Sequence, residues 1–377
     1  MHLGIDSVIA SYPNWRLKRI GLLTNDAAQT STGVKSRVAL LKAGFNITKL
    51  FSPEHGIDIK GADGASIEHH VDSITQLPVI SLYGSQLFPK ESDMEDLDIL
   101  VFDIPDAGTR FYTYLWSMTY WIQTAVKYAK PVYILDRPNP LGGDLQQMAE
   151  GPYLSTSISS FIGRFNIPIK HQMTLGELAQ YFNDTQHWNA SLQIIPCIGW
   201  QRNMPFVTVT NASQWIPTSP ALKSWNACLL YPGLCFLEAT NISVARERPY
   251  SFEWIGADWM DVISVKNALS ALLGEDLNLE IVDNGLRLTV LEPTSYQSVF
   301  VGMMILKIIK DLHPNQFSWS PYPTAVNPTG EKHLNLLLGV ENAYALFDLP
   351  FETWLIQIQK EIRVKDWYTK AYSYLLY

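Results

Sequence analysis

Residues 50–64, LFSPEHGIDIKGADG, place a carboxylate and an imidazole side by side where an apolar run ends. Glu54 and His55 follow a Ser-Pro pair, and Gly56 follows them. Apolar runs that stop at Pro and Gly are typical of a strand that enters a loop. A glutamate at such a point can serve as a general acid, and the adjacent histidine could position it or bind a substrate. The same pair could equally be a solvated loop tip.

A second polar cluster lies in FDIPDAGTRFYTYLW, residues 102–116. Asp106 lies on the predicted loop, Arg110 follows it, and Tyr112 precedes a helical pattern. The planar guanidinium of an arginine suits a carboxylate or a phosphate, so this segment could bind an anionic ligand. An aspartate–arginine pair that braces a turn is the alternative.

A third loop, LDRPNPLGG at residues 135–143, carries Arg137 and Asn139 beside two prolines. Prolines restrict the backbone, so Asn139 would present its amide from a rigid support. A rigid polar loop of this kind favours a binding site over a linker.

The second half of the chain contributes LEATNISVARERP, residues 237–249, with Glu238, Asn241 and Arg246. If this segment folds over the first half, Glu54 and Glu238 could face each other. Paired carboxylates across a cleft are the usual means of glycoside cleavage. The sequence separation neither supports nor forbids that arrangement.

Apolar runs alternate with helical patterns in the first 150 residues. The strand-like runs are 18–25, 45–53, 77–84, 97–105 and 131–140, and the helical patterns are 33–44 and 114–130. This alternation predicts an α/β fold with a Rossmann-like parallel sheet at residues 1–150. After a Pro- and Gly-rich break, we expect a second, mixed α/β domain at 151–377 that closes a cleft.

Polar residues fall at or just after the ends of the strand-like runs: Asn25, Glu54, Asp103, Asp106 and Asp136. The carboxyl ends of parallel strands form the ligand crevice of open α/β sheets, so these side chains are expected at one edge. Each of them could instead cap a helix after a strand.

Neither a metal nor a nucleotide cofactor is expected. The pair His69-His70 has no accompanying ligand spacing, and Cys197, Cys228 and Cys235 lie in apolar contexts that indicate buried free thiols. The glycine fingerprints of dinucleotide and P-loop sites are absent, which disfavours a nucleotide-dependent enzyme.

The composition and the charge indicate which classes of binding partner to expect. The net charge of −8 and the lack of a Lys/Arg cluster exclude nucleic acid as an expected partner. The sequence has no apolar run long enough to span a membrane and no signal peptide as written, so we expect a cytoplasmic protein, or a periplasmic one if its start was trimmed. The 12 Trp and 18 Tyr residues indicate either an aromatic core or a cleft that binds sugar rings.

An ordered series of motifs resembles the exo-β-N-acetylmuramidases of the NamZ type, formerly a domain of unknown function. The series is SPEHG, LPVISLYG, DILVFDIPDAGTRFYTY, LDRPNPLGG, EGP, MTLGELA, YPGLCFLEATNIS and the closing YLLY. The resemblance implies a glycosidase that releases terminal β-1,4-linked N-acetylmuramic acid from the non-reducing end of peptidoglycan fragments. It also implies an active site between the two domains.

The resemblance assigns roles by motif. Glu54 falls on the glutamate of the family's PEHG motif and becomes the expected catalytic acid, with Glu238 as the second catalytic carboxylate. The expected substrate-binding residues are His55, Asp106, Arg110, Tyr112, Arg137, Asn139, Asn241 and Arg246. The lactyl carboxylate of the sugar needs a cation, for which Arg110, Arg137, Arg164 and Arg246 are candidates.

This sequence departs from the family pattern at residues 239–249. Ala239 stands where Gly is usual, and SVARERP replaces a glycine-rich SxGRGT. The change could alter the substrate or abolish activity. The alternative hypothesis is therefore a catalytically silent muropeptide-binding protein. The choice among retention, inversion and assistance by the 2-acetamido group stays open.

Overall fold

Two β-sheets organise the chain. The computed structural model describes residues 1–66, 68–204 and 215–377. The larger sheet has seven strands: β1 (Ile20–Thr24), β2 (Ile47–Ser52), β3 (His70–Val71), β4 (Pro78–Ser81), β5 (Ile99–Asp103), β6 (Val132–Leu135) and β7 (Leu192–Ile195). Every strand-like run predicted for the first 150 residues contains one of these strands.

The strand order of the larger sheet is β3-β4-β2-β1-β5-β6-β7. All neighbouring pairs are parallel except β3 and β4, which pair antiparallel. Without β3, the parallel strands follow the order of a doubly wound, Rossmann-like sheet. The order reverses on either side of β1, and a ligand crevice is expected above the carboxyl ends of the strands near this point.

Burial explains why these segments are strands. Every residue of β1 and of β5 is buried, and a strand covered on both faces needs such a continuous apolar run. In the described part of the chain, five helices accompany this sheet: α1 (Gly4–Ser11), α2 (Ser36–Lys42), α3 (Glu91–Met94), α4 (Thr113–Lys127) and α5 (Leu175–Thr185). A capping box opens α5, where Thr174 accepts from the amide of Glu177 and the Glu177 carboxylate accepts from the amide of Thr174.

The remaining part of the chain surrounds a small antiparallel sheet of order β8-β10-β9. Its strands are β8 (Trp254–Ile255), β9 (Leu277–Val282) and β10 (Gly285–Val290). The helices of this part are α6 (Trp225–Leu234), α7 (Val262–Leu272), α8 (Ser298–Leu312), α9 (His333–Leu338), α10 (Ala343–Leu346), α11 (Phe351–Ile362) and α12 (Trp367–Ala371). The predicted α/β class, with a Rossmann-like sheet followed by a mixed part, is confirmed.

Strand β7 belongs to the larger sheet, although it lies beyond residue 150 in the sequence. The sheet therefore extends past the predicted domain boundary along the chain. The division into residues 1–150 and 151–377 stays a prediction. Within the described ranges, none of the helices combines the length and the apolar character that crossing a bilayer requires.

Candidate active site

A cavity lies at the carboxyl edge of the larger sheet, where loops of the first half meet segments of the second half. The first half lines it with Glu54, His55, Asp63, Tyr83, Phe111, Tyr112 and Thr113. The second half adds Tyr231, Cys235, Glu238, Arg246, Phe252, Tyr322, Thr324 and His333. We call this space the central cavity. The space inside its walls and open mouth together is about 590 Å³.

Glu54 enters the central cavity from the turn that follows β2. The carbonyl of Pro53 accepts a hydrogen bond from the amide of Gly56 at 3.1 Å, and His55 takes a positive φ of 67° inside this turn. A non-glycine residue in that conformation stores backbone strain, which is common at functional sites. Gly56 follows with a φ of 75°, a conformation that glycine adopts readily and that lets the chain turn away from Glu54.

The two carboxylate oxygens of Glu54 have different partners. Oε1 accepts from the amide of Gly64 at 2.9 Å, and Oε2 contacts the hydroxyl of Thr113 at 2.6 Å. An amide can only donate, whereas a hydroxyl can donate or accept. Glu54 can therefore carry a proton on Oε2, but not on the lone pair of Oε1 that accepts from Gly64. Tyr83 lies against the same carboxylate, and its burial, reinforced by Glu54, raises the pKa of Tyr83.

The imidazole of His55 is held by its own loop. Nδ1 lies 2.9 Å from the carbonyl oxygen of Gly61. Because a carbonyl only accepts, Nδ1 carries a hydrogen, and Nε2 of the neutral ring is left as an acceptor.

Glu238 faces the central cavity from the second half of the chain. It lies in the short helical turn Cys235–Ala239, and its side chain is 4% exposed. One oxygen accepts from Nε of Arg246 and the other from the thiol of Cys235 at 3.2 Å. Burial raises the pKa of Glu238, and the attraction of Arg246 offsets only part of that effect.

Arg246 connects the two halves of the central cavity. Besides Glu238, it reaches Asp63, with 3.4 Å between its Nη2 and Oδ2 of the aspartate. Its guanidinium also lies 5.1 Å from the ring centre of Phe252 and 5.7 Å from that of Tyr322. Burial acts to lower the pKa of Arg246, but the two carboxylates outweigh it and raise that pKa. The site therefore contains a fixed cation between acids from opposite halves.

Asp63 lies at the mouth of the central cavity, with 31% of its side chain exposed. Its Oδ2 accepts from the hydroxyl of Tyr322 at 2.6 Å. Burial acts to raise the pKa of Asp63, but Arg246 and the Tyr322 hydroxyl outweigh it, so that pKa is lowered. The carboxylate stays ionised near neutral pH.

His333 stacks on Tyr322, with 4.7 Å between the ring centres and 23° between the planes. Burial, together with repulsion from Arg246, lowers the pKa of His333 to about 4, although Asp63 acts in the opposite direction. The imidazole is therefore neutral at pH 7. With Tyr83, Phe111, Tyr112, Tyr231 and Phe252, these rings give the central cavity an aromatic wall with polar groups, which suits a sugar ring.

Five of the ten predicted site residues line the central cavity: Glu54, His55, Tyr112, Glu238 and Arg246. The other five are Asp106, Arg110, Arg137, Asn139 and Asn241, and the structure gives each of them a different set of partners.

Arg110 is fully buried and structural. Its guanidinium donates to the backbone carbonyls of Pro152 at 2.7 Å, Ile167 at 3.0 Å and Leu337 at 3.0 Å. The side chain therefore joins segments from both halves and has no exposed face for a ligand. The prediction that Arg110 binds substrate stays a prediction, although these three backbone partners favour a structural role.

Asp106 and Arg137 are engaged in buried pairs. Oδ2 of Asp106 lies 3.4 Å from Nε2 of His171 without a hydrogen bond between them, and Nδ1 of that ring accepts from the amide of Met173. Arg137 binds both oxygens of Asp103, at 2.7 and 3.1 Å, and the carbonyl of Gln29. Neither side chain lines the central cavity, contrary to our expectation.

The two predicted asparagines hold loops together. Asn139 donates to the carbonyl of Met173 and accepts from the amide of Leu141, each at 2.9 Å. Asn241 donates to the carbonyl of Gln316 and accepts from the amide of Ser318. Because both amide groups are used by backbone partners, these residues support the loops rather than the central cavity.

Sequence reasoning missed several residues of the central cavity, chiefly Asp63, Tyr83, Thr113, Tyr322 and His333. Asp63 stands only nine residues after Glu54 in a Gly-rich loop, and that proximity was an available signal. Tyr322 lies in a loop and His333 is the first residue of α9, and only the three-dimensional fold brings both to the cavity that Glu54 lines.

Glu54, His55 and Asp63 could jointly contact a cation, since one donor atom from each lies within 4.8 Å of the others. Several of these atoms already have partners, and the positive Arg246 contacts Asp63. These contacts disfavour a metal ion between the three residues.

Comparisons with known proteins agree over most of the chain. The family model "Exo-beta-N-acetylmuramidase NamZ, N-terminal" matches residues 20–226, and the corresponding C-terminal model matches residues 229–377. The chain is 34% identical over 332 residues to the peptidoglycan β-N-acetylmuramidase NamZ of Bacillus subtilis (strain 168), which covers 84% of this chain and 79% of that protein.

Two crystal structures of DUF1343 family proteins from Bacteroides fragilis NCTC 9343 share the fold. One has a TM-score of 0.85 at 25% identity, and the other has a TM-score of 0.69 at 24% identity. Each alignment covers 100% of this chain and 98% of the other.

Proposed function

The chain belongs to the NamZ family of exo-β-N-acetylmuramidases, and from this premise we propose that it releases N-acetylmuramic acid from the non-reducing ends of peptidoglycan fragments. Both family models match, and the B. subtilis relative is a peptidoglycan β-N-acetylmuramidase. The protein is a glycosidase, and its substrate is derived from peptidoglycan.

One observation carries the proposal for the site: Glu54 and Glu238, from opposite halves of the chain, line the same cavity. Glycosidases use two carboxyl groups on either side of the scissile bond. The aromatic wall and the fixed guanidinium of Arg246 supply the further contacts that an acidic sugar requires.

We assign the general acid to Glu54. Oε2 is the oxygen that can carry the proton, because the amide of Gly64 donates to Oε1, and Thr113 can donate to one lone pair of Oε2 and leave the other for the proton. Transfer of that proton to the glycosidic oxygen breaks the bond to the anomeric carbon as the leaving sugar departs with a hydroxyl group. Positive charge then develops on the ring of the N-acetylmuramic acid residue.

Glu238 is the proposed second carboxylate. Its contact with Arg246 fixes the side chain. Burial raises the pKa of Glu238, whereas the positive charge of Arg246 lowers it. From this position it supports the oxocarbenium-like charge, acting on a water molecule or on the 2-acetamido group of the substrate. Arg246 therefore sets both the orientation and the charge of this acid.

The departures at residues 239–249 leave this machinery in place. Arg246 enters the central cavity, and the buried Ala239 ends the turn that carries Glu238. The structure thus favours an enzyme over a silent binding protein.

Product analysis tests the proposed function. Muropeptide chains that differ only in the sugar at the non-reducing end are incubated with the protein, and products are identified by mass spectrometry. We expect free N-acetylmuramic acid from chains that end in that sugar and no release from chains that end in N-acetylglucosamine. Absence of product, or release of N-acetylglucosamine, would overturn the proposal.

A further inference from the structure

Three candidate arginines for the lactyl carboxylate, Arg110, Arg137 and Arg164, are committed to protein partners. Arg110 binds three carbonyls, Arg137 binds Asp103, and Arg164 donates to Thr119 and Gln123 at 2.6 and 2.9 Å. Among the residues that the structure describes around the central cavity, Arg246 is the arginine that lines it. A substrate carboxylate that enters this space therefore meets Arg246.

Arg246 is not free either, because two carboxylates already contact it. Glu238 is buried and held in a helical turn, where the thiol of Cys235 also contacts it. Asp63, in contrast, is one-third exposed and comes from the loop that follows Glu54. Of the two carboxylates, Asp63 is the one that an incoming anion can replace.

The surroundings of the Asp63 carboxylate match those that a ligand carboxylate would need. The guanidinium of Arg246 lies 3.4 Å from this carboxylate, and the hydroxyl of Tyr322 donates to it at 2.6 Å. The carboxylate itself lies at the mouth of the cavity. A guanidinium and a phenol are both donors, and the stacked His333 is neutral near pH 7. These donors form a carboxylate receptor that the protein fills with its own side chain.

We propose that Asp63 occupies the subsite for the lactyl carboxylate of N-acetylmuramic acid on Arg246 and Tyr322, and that the substrate displaces it. This inference rests on the proposed function for the identity of the sugar. In this proposal, the protein recognises its sugar through a competition for Arg246 between the carboxylate of Asp63 and the lactyl carboxylate of the substrate. A sugar without a carboxylate gains nothing from Arg246 and cannot displace Asp63, so the same contact selects against N-acetylglucosamine.

The displaced side chain belongs to a loop that also contacts the proposed acid. Gly64, the neighbour of Asp63, donates its amide to Glu54 and accepts from the amide of Ala325 at 2.8 Å. Recognition of the lactyl group therefore occurs one residue away from the amide that fixes Glu54.

Calorimetric titration tests the proposal with two ligands, N-acetylmuramic acid and N-acetylglucosamine. Asp63→Asn keeps the shape of the side chain and removes its charge, so the competing ion pair is lost. We expect this variant to bind N-acetylmuramic acid about tenfold more tightly, the size of one charge-assisted contact, and N-acetylglucosamine as weakly as the parent does. Asp58→Asn, on the same loop and outside the cavity, is the matched control and should change neither affinity.

Arg246→Lys is the second variant in this experiment, because lysine keeps the positive charge and lacks the planar guanidinium group. We expect it to lower the ratio of the two affinities, provided that its circular dichroism matches that of the parent. If Asp63→Asn weakens both ligands equally, or leaves the ratio unchanged, the proposal is overturned. That outcome is distinct from failure of the proposed function, in which the parent protein releases no N-acetylmuramic acid.

Discussion

The hydroxyl of Thr113 lies 2.6 Å from Oε2 of Glu54, and through this contact the first residue of helix α4 fixes the side chain that we propose as the acid. Glu54 comes from the turn after β2, whereas α4 follows β5 two strands away. The contact therefore joins two loops at the carboxyl edge of the sheet.

Thr113→Val removes this hydroxyl at nearly constant volume. We expect kcat to fall by about tenfold to a hundredfold, because the carboxyl group loses a defined orientation. Thr113→Ser restores a hydroxyl and should recover most of the rate, which a purely structural role of the threonine methyl would not allow. Equal rates for the valine variant and the parent would contradict a positioning role.

Arg110→Met tests the structural role of a residue that sequence reasoning placed in the substrate site. Three buried carbonyls lose their donor, so we expect a loss of about 3 kcal/mol or more in the free energy of unfolding, measured in urea. Arg287→Met is the control, since that arginine is 47% exposed and should matter by less than about 1 kcal/mol. A stable Arg110→Met protein with a raised KM would restore the substrate-binding role.

The lowered pKa of His333 predicts that the folded protein loses stability in mild acid. The unfolded chain binds a proton on this residue below its ordinary pKa of 6.5, whereas the folded protein does so only near 4. Between these values the unfolded state binds more protons, so the free energy of unfolding falls as the pH falls. From pH 7 to pH 5 this contribution amounts to about 2 kcal/mol.

His333→Gln should remove that contribution. Urea unfolding of both proteins at pH 7 and pH 5 gives the difference directly, and other groups that titrate in this range cancel to first order. A parent and a variant with the same pH dependence would show that the imidazole is not protected from protonation.

Ala245 stands at the position of a family glycine and takes a φ of 55°, a conformation that side chains other than glycine rarely adopt. Ala245→Gly should therefore stabilise the protein by about 0.5–1 kcal/mol in urea unfolding, once the greater freedom of glycine in the unfolded chain is subtracted. Ala268→Gly, within helix α7, should instead destabilise it by about 1 kcal/mol. A destabilised Ala245→Gly protein would show that the alanine methyl is needed for packing.

The sequence predicted the larger sheet well because burial of strands on both faces demands continuous apolar runs. Strands β1, β2 and β5 lie inside the predicted runs, each one or two residues shorter at either end. Strand β7 lies in the part of the chain predicted to be a second domain, residues 151–377, and the sequence does not show that it pairs with β6. Local pattern shows that a segment is a strand, but only pairing decides which sheet it joins.

The candidate site was harder to predict, because a polar residue at a strand end can point in several directions. Glu54 and Arg110 both come after strands, at the carboxyl edge of the larger sheet. Glu54 lines the central cavity, whereas Arg110 is buried among backbone carbonyls. Asp136 also follows a strand, and it accepts from the amide of Gly176 and the hydroxyl of Thr174 at the start of α5. Backbone position alone does not distinguish these outcomes.

The most direct test of the central claim compares Glu54→Gln with the parent on glycosides of N-acetylmuramic acid that differ in the leaving group. We predict that kcat falls by about 10²–10⁴-fold when the leaving group is N-acetylglucosamine, and far less when it is a phenol of low pKa that departs without protonation. An equal loss for every leaving group, or no loss at all, would contradict the assignment of Glu54 as the proton donor.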